Sequence, residues 1–290
     1  MSYEPILYQI VIGISVASVY VLVCIGLTLV FGMMNVLNFA HGVLYALGAY
    51  LGYSIARWTG NFWIAVVCAP IVIAVVGIII EQIAIRRLAN RPHLIQFLAT
   101  YAVALVLVEL IRMVMGNNAY NIQPPVLLSR TVTFAGLDFA IYRLFLIATA
   151  AVVCGILGGL LRWTRWGAVI RAASEDPEMA ELLQINTRRT SVIVFAAGSA
   201  LAAFAGVLAA PIFSVYPSMG DDIIAIAFLI VTVGGMGVLS GTILSAFIFG
   251  QISSLGVLAV GSYADVLALV GMGALLLLRP MGLFARARQG

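Results

Sequence analysis

Nine apolar runs follow one another with mostly short polar breaks between them. They are Ile6–Met34, Val36–Ala56, Phe62–Ile85, Leu94–Met115, Phe139–Leu161, Thr190–Phe213, Ile223–Gly235, Thr242–Val260 and Tyr263–Leu278. A helix needs about 20 apolar residues to cross the hydrocarbon of a bilayer, and most of these runs meet that length. The seventh is short and Gly-rich at its end, which predicts a broken or tilted span. A soluble domain is excluded by charge: Asp, Glu, Lys and Arg make up 9% of the chain, against roughly 25% in globular domains. The expected fold is an all-α polytopic membrane protein with about nine transmembrane helices, bounded by eight and ten. Residues 1–290 form one transmembrane unit.

The fifteen basic residues are all Arg; there is no Lys. Without the Lys of GxxxxGK[ST] the chain holds no P-loop, and Schiff-base chemistry is excluded as well. All but Arg57, Arg112, Arg130 and Arg143 fall in one set of alternate loops, with Arg286 and Arg288 near the C-terminus. Basic loops stay cytoplasmic, so the N-terminus is predicted outside and the C-terminus in the cytosol. No basic residue precedes Arg57, so the first run reads as a span and not as a signal peptide. Two long connections follow: an external loop over 117–138 and a cytoplasmic segment over 162–189. The net charge of +4 does not imply nucleic acid, because the arginines occupy loops between spans. Cys24, Cys68 and Cys154 lie in apolar runs and read as small buried residues. His41 and His93 are far apart, so no metal site is expected.

The cytoplasmic segment contains Arg171, Glu175, Asp176, Pro177 and Glu178. Asp176 suits an N-cap, Pro177 the first helical position, and Glu178 the positive helix end. The predicted helix runs from Pro177 to about Ile185. Met179, Leu182, Leu183 and Asn186 then form an apolar stripe opposite Glu178 and Glu181. Such a stripe lies on the membrane surface or docks into a partner's groove. The acidic polar face favours docking, because membrane-surface helices prefer Lys and Arg there. Trp163 and Trp166 read as interfacial anchors.

Two uncharged segments interrupt the apolar pattern. One contains Gly32, Asn35, Asn38, His41 and Gly42; the other contains Gly234, Gly235, Gly237, Ser240 and Thr242. Aligned on Gly-Met-x-x-Val-Leu, they form a weak internal repeat. Unwound backbone at membrane depth must sit in protein or along a water-filled path, and transporters place substrate beside such breaks. The alternatives are a surface turn or close helix packing through small residues. A surface turn or close packing is favoured for 234–242 and a pathway role for 35–42, where Asn35, Asn38 and His41 add side-chain donors. Of the intramembrane charges, Glu109 and Arg112 are spaced to pair, Glu81 is expected at the interface near Arg86, Asp221 and Asp222 are expected to cap the seventh helix, and Asp265 is expected to open the last span. No buried chain of acids marks a proton-coupled carrier.

The stretch Asn38-Phe-Ala-His-Gly42 followed by Gly48-Ala-Tyr50 resembles the permease subunits of branched-chain amino acid ABC importers of the LivH type. Gly167–Asn186, Gly234–Thr242 and Arg279–Phe284 resemble that family's cytoplasmic coupling segment, Gly-rich motif and C-terminal signature, in the same order. The resemblance implies an ABC-importer permease fold that forms half of a pore. The other half is a second homologous permease or a second copy. Two cytosolic ATPase subunits would carry ATP and Mg, and an extracytoplasmic binding protein would deliver substrate. It also makes 176–186 the coupling helix. The family usually has Gly where this chain has Gln184, so either the helix continues further here or the docking groove differs. Relatives of this type also import urea, amides and aromatic or dicarboxylic acids. A self-sufficient channel or ion-coupled carrier is the competing class; an enzyme has no support in the motifs.

Overall fold

A computed structural model describes residues 4–88, 91–134, 137–279 and 282–284. Pro280 and Met281 of the C-terminal signature, and Arg286 and Arg288, lie outside the described residues. The helices in chain order are α1 (Glu4–Met34), α2 (Ala40–Thr59), α3 (Phe62–Ile80), α4 (Arg86–Leu88), α5 (His93–Met115), α6 (Ile141–Trp163), α7 (Arg165–Glu175), α8 (Pro177–Leu182), α9 (Thr187–Ala209), α10 (Met219–Gly234), α11 (Leu239–Val260) and α12 (Ala264–Leu278). A π-turn over Glu81–Ile85 joins α3 to α4.

Every apolar run of the sequence coincides with one long helix. Among the described residues, six stretches are long and apolar enough to cross a membrane: Glu4–Met34, Phe62–Leu88, His93–Met115, Ile141–Trp163, Thr187–Ala209 and Leu239–Leu278. The all-α expectation needs one amendment. Strands β1 (Thr131–Phe134) and β2 (Leu137–Ala140) form an antiparallel hairpin with Thr131 opposite Ala140, so the fifth run begins in a strand and its helix starts at Ile141. This hairpin and the α7–α8 pair stand at opposite ends of the bundle, because α6 runs from one to the other.

The bundle is organised around α2. Its residues from Ala40 to Ala46, with Gly48, Ala49, Tyr50 and Gly52, are buried, and it packs on α3, α5, α9 and α10. In lipid there is no hydrophobic force to press helices together, so close backbone approach and van der Waals contact must do it. The chain achieves this with glycine. A Cβ on Gly48 would lie 2.3 Å from the Ala203 Cα of α9, and one on Gly42 would lie 2.3 Å from the Gly220 carbonyl oxygen of α10. In contrast, α3, α5 and α6 turn Val67, Ile71, Leu98, Val106, Val152 and Ile156 outward. An apolar rim of this extent is unsuited to water and suited to lipid or a second membrane subunit. Cys24 is buried as expected, but Cys68 is exposed on this rim, turned to one side of the buried stripe of Ala65, Ala69 and Ile73.

The cost of a methyl group should therefore depend on the interface. Gly48→Ala is expected to lower stability by about 1–3 kcal/mol through overpacking. Gly155→Ala, where a Cβ meets nothing within 4 Å, should be neutral or slightly stabilising. Thermal melting of the two purified variants in detergent checks the contrast.

Candidate functional site

Two helix breaks face each other at one end of the bundle. The first spans residues 35–39, between α1 and α2, and the second spans 235–238, between α10 and α11. Asn35 opens the first break with φ +51, a left-handed conformation that Asn tolerates better than most residues. From there the chain climbs back alongside α1. His41, in the first turn of α2, places Nε2 3.0 Å from the Val23 carbonyl oxygen. Val23 is eleven residues before the end of α1, which is about 16 Å along its axis. The non-helical segment thus runs back along α1 before α2 begins.

Bare amide groups in hydrocarbon would cost several kcal/mol each. Thr100 of α5 answers two of them. Its hydroxyl accepts from the Phe39 N–H at 3.2 Å and shares its one proton between the Leu37 carbonyl at 3.1 Å and the Phe97 carbonyl of its own helix at 3.0 Å. The Phe39 ring is held between α5 and α10, stacked on Phe228 and edge-on to Phe97, with both centroids at 4.4 Å. Thr100, Phe97 and Phe228 were not singled out in the sequence, where a Thr and two Phe inside apolar runs carry no distinguishing pattern.

Asn38 is fully buried, and neither its Oδ1 nor its Nδ2 has a hydrogen-bond partner. His41 is fully buried with Nδ1 likewise unpartnered. Buried polar atoms are normally satisfied. Three orphaned atoms within four residues mark a place where water, solute or a rearranged backbone completes the set. Gly42 is closed off by Gly220, as described. Asn35 is exposed and stands apart from these buried groups.

The second break is built from glycine. Gly235 and Gly237 have φ +98 and +81, accessible to Gly at little cost. Gly234 and Gly241 meet so closely that a Cβ on Gly241 would lie 1.9 Å from the Gly234 carbonyl oxygen. Leu283 N–H donates to the Val233 carbonyl at 2.7 Å, satisfying one of the orphan acceptors at the end of α10. The structure brings the two breaks together: a Cβ on Gly237 would be 3.1 Å from the Gly32 Cα, and the Thr28 and Thr242 hydroxyls are hydrogen-bonded at 2.8 Å. The weak internal repeat is therefore also a spatial pair. Thr242 and Gly235 are buried, whereas Gly237 and Ser240 are exposed at the rim.

The α7–α8 pair lies at the same end. Thr164 caps α7 by accepting from Gly167 N–H, and Asp176 caps α8 by accepting from Met179 N–H at 2.9 Å. Ala173 is buried with Leu29, Met33 and Val194, so α7 is seated on the ends of α1 and α9. Arg171 donates to the Leu161 carbonyl at the end of α6, and Glu181 accepts from the Thr187 hydroxyl at 2.5 Å. Both therefore hold the hairpin to the bundle. Glu175 and Glu178 are exposed. Met179, Leu182 and Leu183 are 53%, 77% and 68% exposed and form an uncovered apolar face.

Three expectations are corrected here. Helix α8 stops at Leu182 and does not reach Ile185. Gln184 takes φ +61, and Ile185 N–H closes the end by bonding to the Ala180 carbonyl at 3.0 Å. That left-handed position is what Gly normally fills after a helix, so the helix does not continue through Gln184. Asn186 belongs not to the stripe but to the start of α9, which it caps by accepting from Arg189 N–H. Glu81 is 2% exposed, on the π-turn that leads to Arg86. Asp221 and Asp222 lie in the first turn of α10 without capping it; Asp222 accepts from the Tyr216 hydroxyl. The Glu109–Arg112 pair forms at 2.6 Å, Asp265 lies in the first turn of α12, and Trp163 and Trp166 are exposed beside the α7–α8 end.

A family model described as the permease component of the branched-chain amino acid transport system matches residues 9–279. The chain belongs to this family. It is 29% identical to the high-affinity branched-chain amino acid transport permease LivH of Escherichia coli, over 97% of this chain and 96% of that protein. It is 28% identical to BraD of Pseudomonas aeruginosa with the same coverage. It is also 26% identical to LivM of E. coli, over 94% of this chain and 69% of LivM. No solved structure matches. The chain is thus a multi-pass permease of the bacterial inner membrane.

Two substitutions test the local geometry. Thr100→Val leaves the Leu37 and Phe39 backbone groups unpaired and is expected to cost about 1–3 kcal/mol, read as a lower melting temperature. Thr100→Ser should restore most of the loss. Gln184→Gly removes the left-handed penalty of about 1 kcal/mol and should raise protection of the α8 end in amide hydrogen exchange.

Proposed function

We propose that this permease forms one half of an ATP-driven pore that imports branched-chain or similarly apolar amino acids. The reading rests on family membership together with the uncovered apolar face of α8. Escherichia coli has two relatives of this chain, LivH and LivM, each named a permease protein of the same transport system. By analogy the pore is built from two homologous halves. The chain crosses the membrane nine times, with the N-terminus outside, and α2 and α10 complete the set of crossings as shielded inner helices. The α7–α8 end then faces the cytosol and the β1–β2 end faces outward, toward a substrate-delivering binding protein.

Two cytosolic ATPase subunits hold ATP and Mg, for which this chain has no P-loop. One of them receives Met179, Leu182 and Leu183 in a groove, with Glu178 and Glu175 orienting the approach. Arg171 and Glu181 keep the hairpin rigid against α6 and α9. A push on α8 is carried through Ala173 to Leu29 and Met33 of α1, and so to the break at 35–39. There Asn38, His41 and Gly42 line the route in the conducting state, opposite Gly234, Gly235, Gly237, Ser240 and Thr242. Alternation between inward-open and outward-open states would expose the orphaned polar atoms to solute.

Leu182→Asp places a charge in the docking face without disturbing the chain's own packing. Leucine uptake by the reconstituted importer is expected to fall at least tenfold, while membrane insertion and melting temperature stay unchanged. Uptake at the native rate would exclude α8 as the docking element. Leucine uptake by this chain alone, without ATP, would favour a self-sufficient carrier.

A further inference from the structure

We propose that a cavity inside this chain binds a free zwitterionic amino acid with an apolar side chain from the cytosolic end, as a regulatory site separate from the translocation route. The cavity has a volume of about 800 Å³ and lies between the end of α1, the π-turn after α3, the α7–α8 pair and the start of α9. The inference rests on the amino-acid reading and the orientation given above.

The chemistry of the walls selects the ligand. Glu81 lines the cavity, is 2% exposed, and its Oε2 has no hydrogen-bond partner. A buried carboxylate without a partner is costly and is best satisfied by an ammonium group. It sits on a π-turn, a distortion that is rare in helices and concentrated at functional sites. Arg86 and Arg188 line the same cavity, and neither makes an ion pair among the described residues. Both are exposed, and a guanidinium group binds a carboxylate with two parallel hydrogen bonds; Glu181, which also lines the cavity, is already held by the Thr187 hydroxyl. A simple cation would satisfy Glu81 and be repelled by the arginines; an inorganic anion would do the reverse. A zwitterion satisfies both. The remaining wall includes Met34, Val36 and Ala173, which suits an aliphatic side chain.

The placement gives the site a purpose. Pro177, the first residue of α8, forms part of the wall, and Met34 is the last residue before the break at 35–39. A ligand there touches both the docking hairpin and the segment that leads into the route. Accumulated product would hold them in one arrangement and slow further import, a bias set by its differential affinity for the two states.

A phosphatidylethanolamine headgroup is also a zwitterion, so the experiment separates the two sources. Radiolabelled leucine is equilibrated with the complete importer in inside-out vesicles, without binding protein, in lipid with and without phosphatidylethanolamine. Saturable binding is expected in both lipids. It should weaken at least tenfold in Glu81→Gln and in Ser191→Trp, which fills the cavity, while the melting temperatures match that of the native chain. In right-side-out vesicles, luminal leucine should slow initial uptake by the native importer and not by Glu81→Gln. Absence of saturable binding, or equal binding by native protein and both variants, overturns the proposal. So does a dependence of Glu81→Gln stability on phosphatidylethanolamine with no leucine binding. Uptake into leucine-free vesicles tests the import reading separately: if it is absent while cytosolic-face binding persists, the site stands and the substrate assignment fails.

Discussion

A hydroxyl group on α5 makes the centre of this protein possible. Non-helical backbone at membrane depth is forbidden unless protein supplies its hydrogen bonds, and Thr100 supplies them to Leu37 and Phe39. Because the segment 35–39 is stabilised there, α2 can start deep beside Val23 rather than at the membrane surface. Because α2 starts deep, it is enclosed by its neighbours and needs glycine at its contacts. The packing of Gly42 on Gly220 and Gly48 on Ala203 follows from that one re-entry.

The two ends of the bundle then take different roles. One end is tied by β1–β2 and by the bridge between Tyr120 and Val215. The other end gathers both helix breaks, the α7–α8 hairpin and the cavity at Glu81. Apolar contacts between α7 and the ends of α1 and α9 give that end a mechanical continuity. An element held by a helix cap at each joint, and seated on one small apolar cluster, is suited to moving as a unit. Its face of Met179, Leu182 and Leu183 is left uncovered among the described residues.

Local patterns were legible wherever one residue type answers one local need. Asp176 and Pro177 announced the start of α8, and the apolar runs announced every long helix. The i,i+3 spacing of Glu109 and Arg112 announced their pair. Patterns failed where the answer came from another element. Gln184 resembles a helix-continuing residue in sequence, yet the path of the chain into Asn186 and α9 forces it into a left-handed turn. Glu81 stands near Arg86 and Arg87 in sequence, which suggested the interface. That position does not announce that α5 and α9 pack on the π-turn, where Glu81 is buried. Thr100 and Phe228 carried no signal, since their roles exist only once α5 and α10 flank the break.

The sequence alone determined that this chain lives in a membrane, that it lacks the Lys of a P-loop, and that it breaks its helices at two Gly-containing segments. Those properties depend on composition and short-range spacing, which lipid and backbone chemistry read directly. The tertiary structure decided that the two breaks meet, that Asn38 and His41 are orphaned inside, and that Glu81 faces a cavity of mixed charge. These depend on contacts between residues as distant as Gly32 and Gly237. Such contacts are set by how close small residues let two helices come, which no local pattern specifies.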